Sequence, residues 1–445
     1  MGDDSAPVQF LSAHALQVFL VQIGVLLLLA LLLGRLAGRL RMPALIAELL
    51  AGVLLGPSVL HHLLPDASAW LFPRDAQQFA MLDAIGQVGV LLLVGVTGAG
   101  LDLRHARSRV STAAWVSGLG LVIPLGLGVL TGVLLPTALT GASGASGASG
   151  ASGAATFPLF LGVAMCVSAV PVIAKILLDM NLLERKVGQL ALTAGVIDDV
   201  FGWFMLSLVS SMATGRLSGG GVTRSLASLL GVAALVVVIW KLCARGAERR
   251  GERDARHTHP AAGAALIVSM ILLSAAGTHA LGLEALLGAF LCGMFVGRFA
   301  DSSLPGLAAL RAIVLSVFAP VFFAVAGLRM DLTLLADWAL LGTAVIILAV
   351  AVIGKFLGAF LGARISRLGK WEGLALGAGM NARGVVEVMV AMVGLRLGVL
   401  NTEMYTIIIL VALFTSLMAP PILRIAMKRL PDEDPVSTKA MRAAL

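Results

Sequence analysis

Residues 192–208 read LTAGVIDDVFGWFMLSL, two adjacent carboxylates, Asp198 and Asp199, set midway along an apolar run near 188–212. A run of about 20 mostly apolar residues crosses a bilayer as a helix. A charged side chain at the bilayer centre costs about 2.5–3.5 kcal/mol on insertion scales, so such charges are kept mainly for function. Two neighbouring carboxylates repel when both are ionised in a low dielectric, and the pair therefore holds a proton or a cation, which compete. Neighbours on a helix point about 100° apart, so one carboxylate can face an aqueous path while the other faces a partner helix.

The rest of the chain agrees with a membrane setting. Of its 445 residues, 59% are hydrophobic and only 13% are charged, and the mean hydropathy is +1.00. A soluble domain carries roughly a quarter charged residues, and lipid solvates an apolar exterior where water would not. The net charge of +8 would point to nucleic acid in a soluble protein. Here its distribution matters more than its sum, and no nucleic-acid partner is expected. Cys166, Cys243 and Cys292 have no paired spacing, which argues against a disulfide framework or a zinc site. No short apolar region with a cleavage site precedes the first long run, so no removable signal peptide is expected.

Thirteen apolar segments follow one another, near 17–36, 44–60, 83–103, 110–135, 157–179, 188–212, 224–247, 261–280, 283–300, 309–328, 338–364, 371–395 and 402–428. Loop charge tests the count through the positive-inside rule. With the N-terminus outside and the C-terminus cytoplasmic, 25 of the 32 Lys and Arg residues fall inside and five outside. The remaining two, Lys355 and Arg383, lie within spans. The stretch 141–154, GASGASGASGASGA, reads as a flexible coil in an outer loop. Residues 431–445 form a short cytoplasmic tail, too small for a nucleotide-binding domain.

LLLVGVTGAGLDL (91–103) and FFAVAGLRMDL (322–332) each close a span with a small-residue turn and Asp-Leu, on opposite faces. This is the relation of an inverted repeat, with repeat one at about 17–212, a linker helix at 224–247 and repeat two at about 261–428. Two spans read as interrupted helices. CVSAVPVIAKILLD carries Ser168 and Pro171, and GAGMNARGVVEVMVA carries Asn381, Arg383, Gly384 and Glu387. Pro171 removes a backbone donor, Arg383 and Glu387 share a helix face, and breaks at mid-membrane expose groups that coordinate or balance ions. Lys355 lies about nine residues before Arg364, too deep for its stem to reach the inner surface, and needs an intramembrane anion. Glu48 and Glu284 lie near span ends and are weaker candidates.

CVSAVPVIAKIL (166–177), GVIDDVFGW (195–203), FAPVFFAVAGLRMDL (318–332), GKFLGAFLGAR (354–364), GMNARGVVEVMVA (379–391) and LFTSLMAPPI (413–422), in this order, resemble the monovalent cation:proton antiporters. Within that family they resemble the branch of Kef-type potassium systems and plant cation/proton exchangers. The resemblance implies an all-α polytopic fold of inverted repeats with crossing unwound helices, and a homodimer. It implies a mobile core domain of about 110–212 and 338–428 that slides like an elevator past a dimerisation domain of about 17–103 and 224–328. By similarity Asp199 takes a monovalent cation or a proton, Asp198 pairs with Lys355, and Ser168 adds to the cation shell. No cofactor is implied beyond the transported Na⁺ or K⁺ and H⁺, and no enzyme activity. Kef-type systems usually have Gln or Asn where this chain has Asp198, a departure that leans toward electrogenic exchange. A channel-like potassium efflux system or a non-transporting sensor would be the rival classes.

Overall fold

Within a bilayer no water is at hand for backbone groups, so each N–H and C=O bonds inside the protein, and a long apolar run does this as a helix. The computed structural model describes residues 12–39, 42–73, 76–100, 110–135, 151–180, 182, 185–213, 231, 260–299 and 305–430. Its α-helices are α1 (Ala13–Arg39), α2 (Ala44–Leu55), the short α3 (Leu60–Leu63) and α4 (Pro65–Leu71), α5 (Ala76–Ala99), α6 (Val110–Leu134), α7 (Ala151–Cys166), α8 (Val170–Asp179) and α9 (Lys186–Ala213). There follow α10 (Pro260–Ala280), α11 (Ala285–Phe299), α12 (Pro305–Ile313), α13 (Ala319–Leu328), α14 (Trp338–Ile365), α15 (Lys370–Met380), α16 (Val385–Arg396) and α17 (Thr402–Met427). No strand occurs among the described residues.

Nine helices among the described residues are long and apolar enough to cross a membrane, or ten if the bent pair α15–α16 is one span. The expected thirteen are therefore not all seen as full spans. Segment 157–179 is split into α7 and α8, and 283–300 is the 15-residue α11. Segment 224–247 lies outside the described residues apart from 231, as do 101–103 of the first repeat motif and the tail 431–445. Two expectations need correction. α5 starts at Ala76 and not near 83, because Gln78 in its first turn donates to the Ala15 carbonyl of α1 at 3.1 Å and so holds a polar start in place. The GAS repeat does not stay coil to its end. Residues 151–154 already belong to α7, where alanine carries the helical ladder on from the apolar run.

Each interruption has a chemical cause. Between α12 and α13 the chain makes a π-turn at Val314–Phe318, with Ala319 N–H bonded to the Val314 carbonyl. Pro320 follows, and a proline ring clashes with the carbonyl four residues back in a regular helix, so the wider turn gives it room. The α15–α16 span bends by 44° across Asn381–Gly384.

The helices pack in two groups. α6, α7, α8, α9, α14, α15, α16 and α17 form one set, and α1, α2, α5, α10, α11, α12 and α13 form the other. The first group is drawn tight by a glycine row on α14. A Cβ at Gly358 would lie 2.4 Å from the Leu119 carbonyl of α6, and one at Gly362 would lie 2.4 Å from that of Trp115. Small residues four apart let two membrane helices approach at backbone distance. This approach carries Lys355, beside the row, into the interior. Gly358→Leu is expected to force α6 and α14 apart and to lower the Tm in detergent, overpacking of this kind costing about 1–3 kcal/mol or more. A variant with the same Tm as the parent would refute this.

Candidate functional site

The two breaks meet. Residues 167–169 separate α7 from α8, and the Ala169 N–H donates to the Ala382 carbonyl in the other break at 3.2 Å. The crossing therefore gathers two helix C-termini, of α7 and α15, and two helix N-termini, of α8 and α16. Each C-terminus leaves four carbonyls without helical partners. At α7 all four find one. The Cys166 thiol donates to Val163 O at 3.3 Å, Arg383 Nη1 to Ala164 O at 2.9 Å, Arg383 Nη2 to Met165 O at 2.5 Å, and Lys355 Nζ to Cys166 O at 2.6 Å. Two cations thus sit on the negative end of this half-helix.

Asp198 and Lys355 are both fully buried and 2.5 Å apart. Lys355 has three N–H donors, and the Gly120 carbonyl at 3.0 Å, Cys166 O and Asp198 Oδ2 use them all. Asp198 is equally committed. Its Oδ1 accepts from Ser117 Oγ at 2.5 Å, while Ser168 Oγ lies 2.8 Å from Oδ2. Ser168 Oγ is also 2.7 Å from the Met380 carbonyl, so one hydroxyl proton on the first break stands between an acceptor on α9 and one at the second break.

Asp199 differs. It is 1% exposed, and it takes a hydrogen bond from the backbone of Val170, the first residue of α8. Its Oδ1 has no protein partner. It is therefore a carboxylate aimed at a helix N-terminus, with one oxygen free for an incoming positive charge. Trp203, one turn along α9, is 2% exposed and its indole Nε1 is likewise without a partner.

On the second break, Arg383 and Glu387 pair at 3.1 Å and are buried, with Glu387 in the first turn of α16. Arg383 also reaches the Ala351 carbonyl of α14 at 3.3 Å, and its own carbonyl accepts from Ser416 of α17. Both polar atoms of the Asn381 side chain are buried without partners. Pro171 is the second residue of α8. Its missing N–H falls in the first turn, where donors are unused anyway, so it starts a half-helix and does not kink a continuous one. Arg383→Gln is expected to leave α7 carbonyls and Glu387 unmatched. A loss of about 3–5 kcal/mol follows from removing one partner of a buried pair, to be read as a fall in Tm in detergent. Arg383→Lys is expected to recover only part of it, since one ammonium cannot span the points a guanidinium fork holds.

Of the weaker candidates, Glu48 is half-buried on α2 and feels the charge of Lys175 on α8. Glu284 is not at a wet helix end but buried, 6% exposed, and bonded to Ser210 and Arg396. A cleft of about 130 Å³ lies between the two helix groups, with Asp83, Glu284, Arg329 and Arg396 on its walls. Sequence reasoning missed Ser117, one hydroxyl among many. It also missed the glycine row, although the spacing of Gly354, Gly358 and Gly362 was there to be read.

Among solved structures the fold resembles that of the sodium proton antiporter MjNhaP1 from Methanocaldococcus jannaschii, with a TM-score of 0.67 over 93% of this chain and 99% of that one, at 18% identity. The fold is that of the sodium/proton antiporters. The family model described as sodium/hydrogen exchanger, transmembrane, matches residues 25–429, and the chain belongs to that family. Among curated proteins it is 28% identical to the Na(+)/H(+) antiporter NhaS4 of Synechocystis sp., over 93% of this chain and 98% of that protein. It is also 28% identical to cation/H(+) antiporter 20 of Arabidopsis thaliana and to K(+)/H(+) antiporter 1 of Saccharomyces cerevisiae. The chain spans about half the length of these last two, 48% and 47%.

Proposed function

We propose that the protein exchanges protons for a monovalent cation, Na⁺ or K⁺, with both competing for Asp199. The observation that carries this is the contrast within the carboxylate pair. Asp198 has every oxygen engaged by Lys355, Ser117 and Ser168, whereas Asp199 keeps a buried oxygen without a partner. A buried charge without compensation is costly. Asp199 is neutralised by one proton or by one cation, and by both together only at the cost of an excess positive charge. Competition for one carboxylate is the chemistry that couples the two ions.

Charge accounting then gives the cycle. Asp198 offsets Lys355, and Glu387 offsets Arg383. The first helix group therefore holds one net negative charge at its centre when Asp199 is ionised and empty, and none when Asp199 is loaded. Movement of the empty group through the low-dielectric barrier is disfavoured, and movement of the loaded group is allowed. Entry of a cation at Asp199 displaces its proton to that side and sets a second positive charge near Lys355, which loosens the Asp198–Lys355 pair. Ser168, on the break, completes the cation shell. The two-group packing supports an elevator motion, with the α6–α9 and α14–α17 group as the moving core. The other group would be the fixed part, through which two copies form a homodimer in the cell membrane.

The test is exchange in proteoliposomes. A proton gradient is imposed, Na⁺, K⁺ and Li⁺ are added in turn, and lumenal pH is followed with a dye. Collapse of the gradient on adding one cation identifies the substrate. Cation current at zero pH gradient with no linked proton flux would replace the antiport reading by a channel.

A further inference from the structure

We propose that Glu284 is a latch between the two helix groups, made in the state seen here and broken once in every transport cycle. This rests on the two-group antiport reading.

Glu284 ends the turn between α10 and α11, so its backbone belongs to the second group. Its side chain is held by the first. Oε1 accepts from Ser210 Oγ at 2.5 Å and Oε2 from Arg396 Nη2 at 3.4 Å, while its N–H donates to Ser207 Oγ at 3.3 Å. Ser207 and Ser210 lie on α9, the helix of Asp198 and Asp199, and Arg396 ends α16, the second half of the broken span. The two elements that carry the exchange site thus converge on one carboxylate of the other group. Its own group reaches only its backbone carbonyl among the described residues, through the Thr278 hydroxyl at 3.3 Å and the Leu287 N–H at 3.1 Å.

A carboxylate 92% withdrawn from solvent is costly without such partners. Any slide of the first group by more than a hydrogen-bond length strips Glu284 of Ser210 and Arg396 together. Apart from those of Arg396, the polar ties across this face are neutral, Tyr405 Oη to the Ala326 carbonyl at 2.7 Å and the Asp331 N–H to Thr406 Oγ1 at 3.2 Å. Glu284 therefore holds the one ion pair between the groups at this face among the described residues. Its strength sets how the protein divides its time between this state and the next. Arg396 is a positioning residue for the same contact. Its side chain is 47% exposed and also lies 3.4 Å from Gln87 Oε1 of the second group.

The experiment joins the latch covalently. In protein with Cys243 and Cys292 replaced by alanine, the fully buried Cys166 being kept, Glu284→Cys and Ser210→Cys are combined and reacted with a short bifunctional thiosulfonate, which a reductant reverses. Cross-linked protein is expected to lose exchange at least about tenfold, and reductant to restore it. Full exchange with cross-linking shown complete by mass would overturn the latch. Absence of exchange in the wild-type protein would instead sink the antiport reading. If the double-cysteine protein is inactive before reaction, Glu284→Gln, Arg396→Gln and their double variant carry the test. Each single change is expected to shift the ratio of apparent cation KM at the two faces by about fivefold or more, with no further shift in the double. Additive effects, or a change in Tm with an unmoved KM ratio, would also overturn it.

Discussion

Asp199→Asn is expected to abolish exchange of every cation while leaving a folded protein at least as heat-stable as the parent. The substitution keeps shape and a hydrogen-bonding oxygen for the Val170 backbone, but it can neither release a proton nor balance a cation. A cation entering the site would then stand uncompensated in low dielectric, a penalty of several kcal/mol. At about 1.4 kcal/mol per factor of ten, the loss exceeds roughly a hundredfold. Stability moves the other way, because the parent buries a carboxylate with one oxygen unpartnered and the amide carries no charge. Proteoliposome dye traces and thermal unfolding in detergent check the two halves separately. Residual exchange above a tenth of the parent rate would show that another group takes the ions.

Lys355→Gln has the second large effect, and of opposite character. Three acceptors converge on the ammonium, and the glutamine amide has two donors and no charge. Asp198 is left buried and ionised without its cation, a loss of about 3–5 kcal/mol. Exchange is expected to be crippled with it. Adding Asp198→Asn removes the stranded charge and is expected to recover most of the stability, and any exchange that returns is expected to move no net charge per turnover. The comparison of Tm across the two singles and the double decides it. A double variant as unstable as Lys355→Gln would mean that the ion pair is not what Lys355 contributes.

How much of this was readable beforehand follows from what stands out against an apolar background. Asp198, Asp199, Lys355, Arg383 and Glu387 are conspicuous because lipid tolerates so few charges; that Lys355 needs an intramembrane anion was inferable from cost, while Asp198 as its partner, 157 residues away, came from the family resemblance. The breaks were visible in Ser168, Pro171, Asn381 and Gly384. Which atom did what was not. Ser117 looks like any serine on α6, and its bond to Asp198 depends on how α6, α9 and α14 are turned. Glu284 looked wet because sequence places it at a helix end. Its burial comes from Ser210 and Arg396, residues 74 and 112 positions away. Side-chain commitments of this kind are set by packing between helices, which periodicity along one helix does not carry.

The capping of α7 has a bearing on how the protein is made. The carbonyls of Ala164 and Met165 wait for a guanidinium that lies 219 and 218 residues downstream. At a synthesis rate of about 5–20 residues per second, the ribosome delivers it roughly ten to forty seconds later. During that interval the nascent first half sits in the bilayer with a half-helix end open and a carboxylate pair unmatched. The two halves are thus obligate folding partners. A chain stalled before Lys355 and Arg383 leaves the α7 carbonyls and Asp198 without their cations.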